Sequence, residues 1–384
     1  MALLAAVGAN SQINYVEESG FGITPASPAM KIIRANLGSK FDLKRATFQS
    51  KEMNSVRQVM SMGYGNRSGS GSIPFELSYG SFDDFLSAVM GGTQSWSGGN
   101  VLKIGNNKRS FTMEQQWPDI NTNEINTGVV MTDMDISVKP GAIVTGSFTY
   151  QFKDQKCIQT AYNLTNTGAL TFTDATIARA AGSFITDGYA IGDSVTTTGA
   201  ITLANNKTAV ITAVAALTLT FAAATYTLDA VSQTNLIISK TLGTATAINT
   251  NPVFDSFTGT LNLNGSPLAI ITGIDTKVSQ TAKASEVLFD PTTQQISLGV
   301  VSVTGTMTAR FISPALKALF LAGTTVDISY VLGSVTKTYQ FDMSSVKFTA
   351  ATTDSPDTEL SITLPYQATY NAGDLSSLMI TRTP

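Results

Sequence analysis

Histidine is absent from the 384-residue chain, cysteine occurs once, tryptophan twice, and only 13% of residues are charged. Without histidine the commonest general base and metal ligand is missing, and Ser-His or Cys-His activation of a nucleophile is excluded. The lone Cys157 forms no intrachain disulfide and no thiolate metal cluster, so it reads as a small strand or linker residue. No run of about 18 apolar residues occurs, so no membrane-spanning helix is expected. The opening MALLAAVGAN lacks the basic n-region and the length of a secretory signal. The expectation is a protein made in the cytoplasm and kept at full length. A net charge of −3 and a pI near 5.1 supply no basic field for gripping phosphates. So few charges on a 43% hydrophobic chain fit a subunit of an assembly, because a free monomer keeps charge for solubility.

What is present is mostly strand. The first 50 residues place Gly20, Gly22, Pro25, Pro28 and Gly38 between short apolar stretches, an extended arm. Residues 52–72 end in a Gly/Ser tract without sustained period and read as a long loop, and 73–77 (IPFEL) alternate as a strand. In 79–92, YGSFDDFLSAVMGG, Ser81 is the expected N-cap, Asp83 and Asp84 suit the first turn, and Gly91-Gly92 stops the helix. Phe82, Phe85, Leu86, Val89 and Met90 share one apolar face, which predicts packing on a sheet. Hairpins are expected over 101–113 around Gly105-Asn106-Asn107, and from 134–138 to 143–150 around Lys139-Pro140-Gly141.

From 157 to 243 the chain becomes rich in threonine and poor in charge, in short alternating runs such as 209–214 and 217–221, which predicts a small all-β module. Residues 247–384 then repeat the first order. Gly71-Ser72-Ile73-Pro74-Phe75-Glu76-Leu77 is matched by Gly305-Thr306-Met307-Thr308-Ala309-Arg310-Phe311. SPALKALFLAGT predicts a second helix, with Ser313 as N-cap, Pro314 at the first position, Gly323 as stop, and Leu316, Leu319 and Phe320 on the sheet. A hairpin around Gly333-Ser334 and strands at 346–348 and 360–366 follow. Order, spacing and caps together indicate an internal duplication with the β-module between the copies.

Few groups offer chemistry. Asp83 with Asp84 and Asp133 with Asp135 are the paired acids, the first explained by a helix first turn and the second by alternation along a strand. Residues 63–71 (GYGNRSGSG) lack P-loop spacing and lead into a strand, whereas phosphate loops open a helix. No Asp-rich calcium loop is present. The triplets at Asn163 and Asn206 fit the glycosylation pattern, as chance triplets in a Thr-rich stretch do. Trp96, Trp117, Tyr150 and Tyr370 are expected in cores or subunit contacts. No catalytic residue, cofactor or metal is expected, and function is expected to lie in surfaces.

Several stretches carry a family resemblance: 17–25 (EESGFGITP), 50–52 (SKE) leading to Arg57-Gln58, 65–68 (GNRS) and above all 80–86 (GSFDDFL). Residues 303–306 (VTGT) and 378–381 (LMIT) are compatible with it. The chain resembles the major tail tube proteins of long-tailed, non-contractile bacteriophages, over 1–150 well and over 247–384 more loosely. The resemblance implies a mainly β fold with two tandem tail-tube domains, each of packed antiparallel sheets flanked by one helix and each contributing to a β-barrel tube. Expected boundaries are 1–156 and 247–384 for these, with 157–246 a sandwich-like decoration domain. It also implies a structural virion protein, not an enzyme, that polymerises as stacked rings around the conduit for DNA ejection. Two tube domains per chain imply homotrimeric, pseudo-hexameric rings; the alternative is a hexamer.

Loops at 53–72 and 280–297 would reach the adjacent ring, with Arg57, Met60, Tyr64 and Arg67 as candidate contacts. The implied partners are the chain itself, a tape measure protein and genomic DNA in the lumen, and tail terminator and distal tail proteins at the ends. No membrane insertion is implied. Competing readings are the tube of an injection machine, a tail terminator, a β-rich surface adhesin, which would require a secretion signal and an anchor, and a carboxylate-based glycan hydrolase.

Overall fold

The structure is a computed structural model that describes residues 7–384 except 26–27, 53–57, 93–95, 97–99, 118, 121, 160, 164–169, 188, 190, 234–235, 241–244, 334 and 355–358. The described residues are mainly β. In chain order they form β1 (Gln12–Glu17), β2 (Met30–Ile32), β3 (Lys40–Gln49), β4 (Met62–Glu76), α1 (Asp83–Val89), β5 (Val101–Lys103), β6 (Phe111–Trp117), β7 (Thr122–Val138), β8 (Thr145–Phe152) and β9 (Asp154–Gln159). Nine short strands, β10 to β18, lie between 161 and 240, followed by β19 (Ala245–Thr246). The last part contains β20 (Gly259–Leu263), β21 (Ser266–Pro267), β22 (Ile271–Ser285), β23 (Gln295–Arg310), α2 (Ala315–Leu321), β24 (Val326–Leu332), β25 (Thr338–Phe348), β26 (Thr352–Asp354), β27 (Ser361–Ala368) and β28 (Met379–Thr383).

Two compact units arise. One takes residues 1–33, 111–129 and 154–248. In it β2 pairs with β1, β1 with β6, β6 with the first half of β7, and that half with β9. The threonine-rich stretch forms a four-stranded and a five-stranded antiparallel sheet. Alternation buries Leu170, Phe172, Ile177, Val195, Leu219 and Ile238 in a core of its own.

The other unit takes 34–110, 130–153 and 249–384. Its principal sheet runs β3-β4-β8-β7-β22-β23-β27-β26, antiparallel throughout. A further ladder runs β20-β24-β25-β28-β5.

The duplication is written in the hydrogen-bond register. Gly71 lies opposite Tyr150 in the β4–β8 pair, and Gly305 lies opposite Tyr366 in β23–β27. The β3–β4 ladder shifts register between Arg45 and Thr47, and the β22–β23 ladder shifts between Gln280 and Ala282, the same distance from those glycines. The ladder β1-β6-β7-β9 matches β20-β24-β25-β28, with a bulge after Phe111 in one and after Val326 in the other. Bulges are placed features of a sheet, so their coincidence marks two copies of one fold.

Three expectations change. Residues 101–113 form no hairpin: β5 pairs with β28, and β6 pairs with β1 and β7. The intended turn instead caps α1, the Gly105 and Asn107 amides donating to the Met90 and Gly91 carbonyls at 2.9 Å each. Residues 62–72 are strand, not loop, so the first connection shrinks to 50–61 and its counterpart from 280–297 to 286–294. The misleading glycines fall in two pairs on opposite faces of β4, either side of its bulge: Gly63 and Gly65 leave room for Phe48 and Ala46, and Gly69 and Gly71 for Phe152 and Tyr150. Finally, Ser81 bonds Ser78 Oγ at 2.6 Å, and Phe82 and Pro314 occupy the N-cap positions of α1 and α2. Both helices stop at the expected glycines, Gly91 at φ +61° and Gly323 at φ +63°.

Candidate assembly surface

Alternation along the principal sheet separates two faces. One is apolar: Ile73, Phe75, Met134, Ile136, Phe148 and Tyr150 are buried, and Phe82 and Phe85 of α1 pack on Phe75 and Phe148 with ring centroids 4.5 and 5.6 Å apart. The other face carries serine, threonine and charges of both signs. Ser70 and Ser72 of β4, Ser147 and Thr149 of β8, Thr304 and Thr306 of β23 and Thr363 of β27 lie along it, with Lys40 and Asp42 opposite Ser72 and Ser70. A groove of about 580 Å³ on this face is lined by Asp135, Ser137, Asp275, Lys277, Thr304 and Thr306.

A repeated strut fixes the two faces. Tyr150 donates from its hydroxyl to the Lys40 carbonyl at 2.6 Å, and Tyr366 donates to the equivalent Asp275 carbonyl at 3.1 Å. Each phenol lies over a glycine, Gly71 or Gly305, where a Cβ would collide with ring and carbonyl. Burial raises both phenol pKa values well above the ordinary tyrosine range, so both stay protonated donors.

Where the two copies meet, β7 pairs with β22. Ile274 lies opposite Val138, Asp275 opposite Ser137, Lys277 opposite Asp135 and Ser279 opposite Asp133. Ser279 Oγ donates to Asp133, and the Gln280 amide donates to the Val89 carbonyl at the end of α1. The helix is held at its other end too: Asp83 accepts from Tyr339 and Arg382, and Asp84 accepts from Arg109 at 3.0 Å. Three of the four paired acids are thus occupied in structure, Asp83 and Asp84 binding other elements and Asp133 bridging the junction, where Asp135 lies opposite Lys277.

The two helices differ in cover. Phe82, Phe85, Leu86 and Val89 are fully buried, as are Ser87 and Ala88. In α2 only Leu316 is buried; Leu319 and Phe320 are half-buried, and Leu321 is 74% exposed. Two sheet edges are likewise open: among the described residues no strand pairs with the outer side of β3 or of β26.

Of the loop candidates, Arg57 lies outside the described residues, Met60 and Tyr64 are exposed, and the Arg67 amide donates to the Pro291 carbonyl at 2.8 Å. Tyr64 stands in β4, with the Arg45 guanidinium 4.5 Å above its ring. Sequence reasoning missed Lys40, Lys277 and Asp354, and took Asp135 only as one of a pair of acids alternating along a strand. The available signal was KFDLK at 40–44, charges at alternate positions at the start of a strand, as a managed sheet edge displays.

No group of three metal-ligating side chains occurs among the described residues, and no helix among them is long and apolar enough to cross a membrane. A family model described as phage tail tube protein matches the chain twice, over residues 8–216 and 211–368. No curated protein matches it.

Proposed function

The chain belongs to the phage tail tube protein family, and from that premise we propose that three copies close a ring of pseudo-sixfold symmetry whose stacks form a tail tube. The family is structural, and its members are components of the virion tail. The tube is that of a long-tailed, non-contractile phage, built in the host cytoplasm, and the genome leaves through its lumen. Residues 1–156 and 247–384 act as the tube domains, and 157–246 projects outward as decoration.

The observation that carries this reading is the β7–β22 junction, by which one copy of the tube fold extends the sheet of the other within a single chain. Open edges remain at β3 and β26, and repeating the same junction between chains closes the sheet into a barrel without an exposed edge. The polar face turns to the lumen, where serine, threonine and balanced charge pass DNA without the phosphate grip of a cation cluster. A tape measure protein fills the lumen during assembly, and terminator and distal tail proteins meet the ends. The connections 50–61 and 286–294, bearing exposed Met60 and Phe289, reach the next ring.

Electron micrographs of the purified chain test the reading. Long hollow tubes are expected. Isolated rings that never stack would make it a tail-end protein, and monomers under all tube-forming conditions would contradict assembly by this chain alone.

A further inference from the structure

The junction inside the chain is a template for the junction between chains. Equivalences follow from register alone: Gly71 with Gly305 and Tyr150 with Tyr366 make Lys40 equivalent to Asp275 and Asp42 to Lys277. On the other side Ser137 pairs with Thr145 and Asp354 with Ser361, and Thr145 and Ser361 are themselves equivalent, so Asp354 takes the place of Ser137. Within the chain Asp275 lies opposite Ser137.

We infer that β3 of one chain pairs antiparallel with β26 of a second copy in the register that sets Lys40 opposite Asp354, Phe41 opposite Thr353 and Asp42 opposite Thr352. The inference rests on the ring reading above and adds its contact residues. Residues directly opposite in an antiparallel pair share a face and sit within reach, so Lys40 and Asp354 form a cross-strand ion pair on the polar face. The polarity repeats that of the internal junction, where Lys277 on the β22 side meets Asp135 on the β7 side. Alternatives are disfavoured: a one-residue slip turns every side chain to the wrong face, and a two-residue slip in one direction sets Asp42 against Asp354.

The helices carry an independent sign of the same contact. Gln280, which donates to the Val89 carbonyl, is equivalent to Arg45, and Val89 is equivalent to Leu321, each two residues before its stop glycine. Arg45 of the neighbouring chain therefore approaches the Leu321 carbonyl, a cation at a helix C-terminus. This neighbour covers the face of α2 that one chain leaves exposed, as β22 covers α1.

Two experiments on assembled tubes test the inference. Wild-type tubes treated with a zero-length carbodiimide and digested are expected to give an interchain Lys40–Asp354 peptide. In a Cys157→Ser background, Lys40→Cys with Asp354→Cys is expected to give oxidised bands that stop at three chains, whereas Asp42→Cys with Asp354→Cys stays uncrosslinked. Lys40→Asp alone should weaken each junction roughly fivefold, and adding Asp354→Lys should restore it to within about twofold. Three-chain rings linked instead through Asp42→Cys and Asp354→Cys overturn the register and leave the ring reading intact. Rings of another size, or none from the wild-type chain, overturn the ring reading and this inference with it.

Discussion

At the scale of residues, Gly71 and Gly305 each make room for a buried tyrosine that donates to the carbonyl of a neighbouring strand. Gly71→Ala or Gly305→Ala places a methyl group against a tyrosine ring and a backbone carbonyl. Either is expected to destabilise the chain by about 1–3 kcal/mol in thermal melts. Gly8→Ala, whose new methyl would meet nothing within 4 Å, should leave the melt unchanged. Gly71 looked like part of a loop in the sequence because its purpose lies in the ring of another strand, which no local pattern displays. Tyr150 was legible only as an aromatic residue expected in a core or subunit contact, and Tyr366 only as the end of an expected strand.

Asp342 makes a pH-dependent case. Burial raises its carboxyl pKa, and Asp327 and Asp374 push it the same way, against a 2.8 Å hydrogen bond from Gln340. A carboxyl whose folded pKa lies above its unfolded value binds its proton more tightly when folded. The stability this gives is full at acid pH and lost as pH rises through the folded value. Asp342→Asn should therefore raise Tm at neutral pH and make no difference near pH 3 (about the lower end of carboxylate titration). The side chain is only half-buried, so solvent screening keeps the gain small, ~1–2 °C. An equal shift at both pH values would contradict the assignment.

At the scale of elements, the helices were the most readable parts: in α1 the acids, stripe and stop all lie within fourteen consecutive residues at 79–92, while the cap falls one residue later than the serine suggested. Their unequal burial was not readable, because Val89 and Leu321 hold the same place two residues before a stop glycine, and what lies over each is set by elements far away in the chain. That difference predicts different phenotypes. Phe85→Ala removes a ring packed on Phe148 and should cost about 3–5 kcal/mol of stability in denaturant unfolding. Leu321→Asp, at an exposed position, should leave unfolding of the isolated chain within about 0.5 kcal/mol of wild type while sharply lowering the yield of rings in gel filtration. The expected hairpin at 101–113 failed for a related reason: its turn residues satisfy the end of α1, and both strands pair elsewhere.

At the scale of the whole molecule, the duplication was the sequence's main disclosure. It was visible as an order of elements and became an identity of register only with the ladders in view, because weakly matching residues such as Phe148 and Leu364 occupy equivalent pairings. The threonine-rich module has its own buried core and its own two sheets. Deleting 160–243 is accordingly expected to leave tube assembly intact, seen as hollow tubes of reduced outer diameter. Loss of tubes would give the module a part in assembly. The central claim is that one chain supplies two sectors of a closed ring. The mass of a single ring, measured on intact assemblies under native conditions, tests it most directly. Three times the 40.5 kDa chain is the predicted result; six chains per ring would contradict it.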